Sequence, residues 1–548
     1  MSIRLNFKMY AASALCISLL GACGGSGGDS PAISEQSQTL SKSITEKDLS
    51  DEIAVVDSYA AQSGEVPTRE EGSTGLEEAR NYLADEFEKL GFDVSEDPFS
   101  YRVWKEGTSS LDITGLPQPT TFNYKVLERS AGGIVAETEL VVLDATVYIP
   151  NTPFAPDHGC NIEDFQNAGV IKDKIVLVQA GGCTLEKKLT LAQDAEAAGL
   201  IVFKEKKDSF SDNEVFSEPL PYRLSPLATI PVLGISYQDG INLYSYRNEN
   251  DFRAAVSVNV EDTLVETKNL IAELEVSGQN EVIMVGAHLD SAIDSPGANN
   301  NGASAVALLS YARVLVNKRE SLGIGRLKRN LRIAFWGAGE AGRYGSESYA
   351  EKQFSSSYKN VVNKVLTEIG KASYDALSEQ EKKIVSRRMQ AGNSVKLYID
   401  LDSIASKNSI YGVYDGDLSS TSANPNSAYG SQKLLIPTDG VQYHIEEKFR
   451  KAFVSMNKSI EPLVLDNKAD YKAFGQYQVP FGGLFSGGAG LKTQAQVDTF
   501  GGEPNQPFDP CHNKACDGFD NVHLETLQVN AQAMAEVVTS YLLSDNVF

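Results

Sequence analysis

Val282-Ile283-Met284-Val285-Gly286-Ala287-His288-Leu289-Asp290-Ser291 is the stretch that decides the architecture of this chain. An unbroken apolar run ends in a His and, two residues on, an Asp. Pro296-Gly297-Ala298-Asn299-Asn300-Asn301-Gly302 follows, and then an apolar helical pattern over 303–316. A short apolar run bounded by turn residues reads as a buried strand. A strand that delivers polar side chains at its carboxyl end, beside a loop and a helix start, is where open α/β sheets build their sites. The segment therefore reads as half of a metal site, with Asn300 standing where a carboxylate is wanted.

The same alternation extends outward. Strand patterns at 269–275, 281–287, 330–336 and 395–401 are separated by helical ones, which predicts an α/β fold with a mixed, mostly parallel sheet flanked by helices. Residues 351–394 read as a charged, mostly helical connection. Upstream, 49–61 and 73–90 are amphipathic helices; in the second, Leu76, Ala79, Leu83, Phe87 and Leu90 recur at helical spacing. Between 125 and 262 the texture changes to short β-type runs, such as 139–143 and 174–178, with a helix at 185–198 leading into a strand at 200–203. This is a small α+β insert, and it divides the main domain into 49–124 and 263–548.

Net charge of -24 disfavours nucleic acid as a partner, since phosphate backbones are bound by clustered Lys and Arg. Arg4 and Lys8 precede an apolar stretch over 11–20, and Leu20-Gly21-Ala22-Cys23 then has the form of a bacterial lipobox. The expectation is a signal peptide over 1–22, lipid on Cys23, a flexible Gly/Ser-rich tether over 23–48, and a body held at the cell envelope by the lipid alone, on the outer membrane. In an oxidising compartment the four remaining cysteines pair locally, Cys160 with Cys183 and Cys511 with Cys516. The alternative use of the same four residues is a Zn(Cys)4 site, which belongs to the cytosol.

Further polar residues close apolar runs: Glu340 after Phe335-Trp336-Gly337-Ala338-Gly339, Asp402 after Tyr398-Ile399-Asp400-Leu401, Asp470 before Tyr471, and His512 inside Cys511-His512-Asn513-Lys514-Ala515-Cys516. His and carboxylate side chains on separate strand ends suit a hydrolytic zinc centre. His158 and His444 read as surface or loop residues, and His523 as a cap at the start of the last helix. No G-x-S-x-G is present, so a serine hydrolase is not indicated.

With these motifs in order, the sequence from about residue 50 to the end resembles the secreted zinc aminopeptidases, the family of bacterial leucyl aminopeptidase and aminopeptidase Y. The insert resembles a protease-associated domain through Gly159-Cys160, Lys174-Ile175-Val176-Leu177-Val178 and Gly182-Cys183-Thr184. The resemblance implies peptides or protein N-termini as partners and one or two zinc ions as cofactor. It also implies His288, position 300, Glu340, Asp402 and position 513 as metal ligands, with position 339 as general base. Asp290 matches the carboxylate near the first ligand and Asp470 a polar residue near the substrate.

Three positions depart from that pattern. The bridging Asp is Asn300, the general-base Glu is Gly339, and the family's Tyr-His pair reads His512-Asn513. A neutral amide offsets none of the charge of two zinc ions. Loss of a general base costs about 3–5 kcal/mol of barrier. The expected outcome is a family member whose hydrolysis is lost or strongly impaired. The alternative is an active exopeptidase with a rearranged, mono-zinc site and a substitute base such as Asp294 or His512.

Overall fold

The computed structural model describes residues 34–118, 120–149, 158–206, 217–222, 224, 228–249, 251–416, 418, 440–465 and 468–548. The signal peptide and Cys23 lie outside the described residues. Two long strands, β1 (Asp93–Thr114) and β7 (Arg253–Leu274), run antiparallel as a ribbon and carry everything between them as an insert. The insert adds β2 (Tyr124–Val126), β3 (Gly133–Val142), β4 (Ile175–Gln179), β5 (Gly199–Phe203) and β6 (Val232–Ile235). The main domain contributes β8 (Val282–His288), β9 (Asn330–Trp336), β10 (Val395–Asp402), β11 (Gly412–Tyr414), β12 (Glu461–Leu463) and β13 (Phe481–Phe485).

Strand order in the sheet is β12-β11-β13-β10-β8-β9-β7-β3-β4-β5-β6-β2. The middle is parallel: β8 pairs with both β9 and β10, and β10 pairs with β13. This explains why β8 reads as a continuous apolar run. Every one of its residues is buried, because a central parallel strand is covered on both faces. Gly286 is required there. A Cβ would come within 2.9 Å of Trp336 Nε1 and of Tyr398 OH, which join across it in a 2.8 Å hydrogen bond.

One apolar cluster covers one face of the main sheet with the helices Ala303–Lys318 and Leu524–Leu543, and a second, rich in Trp336, Tyr398, Tyr471 and Phe474, covers the other. The insert has its own pair of clusters, which draw on Leu111 and Ile113 of β1 and on Ala254, Val256 and Val258 of β7. The expected charged connection is two helices, Tyr344–Ile369 and Glu379–Gly392. Both expected disulfides, Cys160–Cys183 and Cys511–Cys516, are formed. Among the described residues no helix is long and apolar enough to cross a membrane.

The expectation of a flexible tether up to residue 48 needs correction. Glu35–Ser41 is a helix capped by Ser34, and a second helix starts at Glu46. Leu40 and Ile44 are fully buried, and Gln528 and Gln532 of the C-terminal helix donate to the Ile44 carbonyl. Polar composition suggested a tether, but two apolar side chains at the right spacing are enough to dock the segment on a preformed face.

Candidate active site

The carboxyl ends of β8, β9 and β10 converge on a cavity of about 650 Å³. His288, Asn300, Gly339, Glu340, Arg343, Asp402, Asp470, His512 and Asn513 are among its lining residues. The family-matched site positions are thus gathered in one place, apart from Asp290, which is buried behind the wall. Asp294 is solvent-exposed and does not line the cavity.

On one side, His288 ends β8 and Asp402 ends β10. The His288 Nδ1–H donates to the main-chain carbonyl of Asp290 at 2.9 Å, which turns Nε2 toward Asp402, 3.8 Å from Oδ1. Burial opposes a charge on His288, but Asp402, Asp290 and Glu340 outweigh it and hold the imidazole well above its usual pKa. Asp402, whose own burial is opposed by His288 and by the Ser403 hydroxyl, is held below the usual carboxylate range. Each member of the pair thus favours the charged form of the other.

On the other side Asn300, Glu340 and Asn513 interlock. The Asn300 amide nitrogen donates to Glu340 Oε1 at 2.5 Å and to Asn513 Oδ1 at 2.6 Å, and Asn513 Nδ2 donates to Glu340 Oε2 at 3.2 Å. Asn300 Oδ1 accepts from Ser403 Oγ at 2.9 Å, and the same hydroxyl lies 2.9 Å from Asp402 Oδ1. Both oxygens of Glu340 are therefore occupied by amide N–H groups. An N–H cannot ligate a metal, so the Asn300 and Asn513 nitrogens that face Glu340 are not metal donors. Among the described residues no group of three or more His, Cys, Asp or Glu side chains is disposed to hold a metal ion. The residues present do not fit a two-zinc centre.

Gly339 is more than a missing side chain. A Cβ there would lie 2.3 Å from His288 Cβ and 2.6 Å from its Cγ, so the imidazole occupies the space. His512 lines the cavity with its ring against Gly488, close enough to Asp402 to help hold that carboxylate ionised. Asp470 is buried, accepts from Ser346 Oγ at 2.5 Å, and is pushed up in pKa chiefly by burial. Burial together with the charges of Asp470 and Asp402 pushes Asp400 well up too.

Behind the lining stands a second set of residues, most of which local sequence reading could not find. The turn Gly337–Glu340 offers four main-chain N–H groups, and each is met by a side chain. Asn269 Oδ1 accepts from Gly337, Glu71 Oε2 from Ala338, and the two oxygens of Asp290 from Gly339 and Glu340, at 2.7 to 3.0 Å. Asp290 stands near the first ligand as the resemblance implies: its carbonyl orients the imidazole, and its carboxylate, pushed up to about 7 chiefly by burial, grips the turn. The loop carrying Asn300 is held likewise. Asp517 accepts from the N–H groups of Asn299 and Asn300, and the buried Arg69 guanidinium donates to the carbonyls of Pro296 and Gly297. His523 caps the last helix as expected, accepting from the Thr526 N–H.

Comparison with known proteins accounts for this layout. A family model described as peptidase family M28 matches residues 269–538, and a PA domain model matches 138–243 within the insert. An aminopeptidase of Pseudomonas aeruginosa strain PAO1 is 30% identical over 482 residues, covering 86% of this chain and 77% of that protein. The chain belongs to peptidase family M28. It is a zinc aminopeptidase family member by descent, with a protease-associated domain inserted between β1 and β7. Leucine aminopeptidase 2 of Trichophyton rubrum is 27% identical over 475 residues, 86% of this chain and 79% of the relative. The M28 fold is matched by the solved aminopeptidase from Aneurinibacillus sp. strain AM-1, with a TM-score of 0.55 and 18% identity over 92% of this chain and 96% of that one.

Proposed function

We propose that this M28 member is a lipid-anchored protein of the bacterial envelope, tethered through Cys23 to the outer membrane, which holds peptides or protein N-termini in the family pocket without hydrolysing them efficiently. The observation that carries this reading is the closed Asn300–Glu340–Asn513 network beside a Gly339 whose side-chain space is filled by His288. The base is absent, and the carboxylate that would face a metal is hydrogen-bonded to two side-chain amides. What remains suits an α-ammonium group: Asp402, Glu340 and Asp470 line one cavity, and its volume of about 650 Å³ admits the first residues of a peptide. Charge-assisted hydrogen bonds to an ammonium are each worth about 1.5–3 kcal/mol.

The test combines metal analysis, turnover and binding on the purified chain. Zinc well below one per chain, no measurable release from aminoacyl-nitroanilides, and calorimetric binding of a free-amine tripeptide but not its N-acetylated form are expected. Turnover that disappears in Glu340→Ala would overturn the reading. The 3.8 Å approach of His288 Nε2 to Asp402 favours a second reading, a weakly active mono-zinc form using those two ligands. It would register as one zinc per chain with chelator-sensitive turnover.

A further inference from the structure

A second cavity, of about 370 Å³, lies away from the M28 pocket between the start of the last helix and the segments around residues 407–411, 457–459, 492 and 499–502. Its lining is unusual for a chain of net charge -24. Lys407, Lys458 and Lys492 face it against a single acid, Glu525. Lys458 already uses that acid, 2.9 Å away, and lies over the Tyr411 ring.

Lys492 is the decisive residue. It is only 1% exposed, yet among the described residues no carboxylate pairs with it. Its ammonium donates to one neutral partner, the Ser409 carbonyl, at 2.7 Å, which leaves two of three donors without a protein acceptor. Gly502 packs directly on the amine, and Asn408 ties that floor together through the Glu503 and Pro507 carbonyls. Burial lowers the Lys492 pKa. A buried cation with no counter-charge is costly, and a folded protein keeps one where an anion completes it. The opposite wall is the first turn of the 20-residue helix Leu524–Leu543, whose positive dipole end adds to the same potential. Ser409 and Thr526 hydroxyls, 2.9 Å apart, are tied to each other and through Thr526 to His523, which fixes this wall.

We infer that this cavity is a binding site for a phosphate-class oxyanion, held by Lys492 from below, by Lys407 and Lys458 from the sides and by the helix start. Ammonium groups act as rotatable point charges and suit a tetrahedral dianion. A planar carboxylate is better matched by the guanidinium fork, which this cavity lacks.

The test is thermal unfolding and calorimetry of the purified full chain with inorganic phosphate, at ionic strength fixed with chloride. Phosphate is expected to raise the melting temperature by about 2 °C at tenfold excess over its Kd, with acetate inert. Lys492→Met is expected to abolish the shift, and Lys407→Ala, at an exposed position, to weaken Kd roughly tenfold. Glycerol 3-phosphate distinguishes the source. Competition with phosphate identifies a pocket for the phosphoryl group of a larger molecule, and lack of competition one for the free ion. No shift in the wild-type chain, or an equal shift in both variants, overturns the inference.

Discussion

The cavity lining and the shell that supports it are bonded in different ways. In the lining, Asn300, Gly339 and Asn513 supply no carboxylate, no base and no imidazole at their positions. Just behind, Asp290, Glu71, Asn269, Asp517 and Arg69 still meet the main-chain groups of the two site loops. The difference separates two kinds of requirement. Ligand residues serve a metal and a reaction, whereas the supporting residues satisfy buried backbone N–H and C=O groups that would otherwise destabilise the fold whatever the protein binds. The second requirement holds whatever occupies the site, so it fixes the shape of the cavity independently of the first.

The largest effect is expected where the support is cut. Asp517→Ala leaves the N–H groups of Asn299 and Asn300 without their acceptor and takes from the Asn521 side-chain amide one of its two, Asp509 remaining. It also removes an acid that favours the charged form of buried Arg69. Each orphaned buried donor costs about 1–3 kcal/mol, so a loss of roughly 3–5 kcal/mol is expected in denaturant unfolding. A loss under about 1 kcal/mol would mean that the support is as dispensable as the lining.

Legibility in the sequence follows the same division. Strands β8, β9 and β10 were readable because a central parallel strand must be apolar throughout, and the site positions were readable because they sit at the ends of those runs. The disulfides followed from sequence-local pairing. Glu71 was not readable. It meets Ala338 across 267 residues of chain, and nothing in Arg69-Glu70-Glu71 distinguishes it from a solvated charge run. Asn269 was hidden for the same reason. The filling of the Gly339 space by His288 was beyond reach too, since a sequence shows a missing side chain but not how its neighbours have closed over the gap. Residues 35–48 were misread because composition outweighed two buried apolar side chains, Leu40 and Ile44.

A middle-sized effect is expected at the boundary between lining and support. Gly339→Ala places a Cβ on His288 and 3.1 Å from Asp290 Oδ1, so either the imidazole or the gripped turn must move. Overpacking of this kind costs about 1–3 kcal/mol, read as a lower urea midpoint at unchanged slope. Restoring the general base therefore requires more than one substitution. A Gly339→Ala protein as stable as the wild type would show the turn to be yielding, and reversion of activity by Gly339→Glu alone would become reasonable.

The smallest effect is expected in the lining itself. Glu340→Gln keeps one acceptor oxygen for the Asn300 amide, the more enclosed of its two donors, and turns its new amide toward Asn513, which is solvent-exposed and can bond to water instead. It also removes one negative charge from a cavity that already holds Asp402 and Asp470. The change in unfolding free energy is expected to stay within about 1 kcal/mol, with or without chelator. A metal ligand behaves otherwise: Gln would weaken the ion, and the variant and the chelated wild type would lose stability together by the binding free energy of that ion. Measuring wild type and Glu340→Gln side by side in zinc and in chelator thus asks whether the lining is held by a metal or, as its hydrogen bonds indicate, by its own amides.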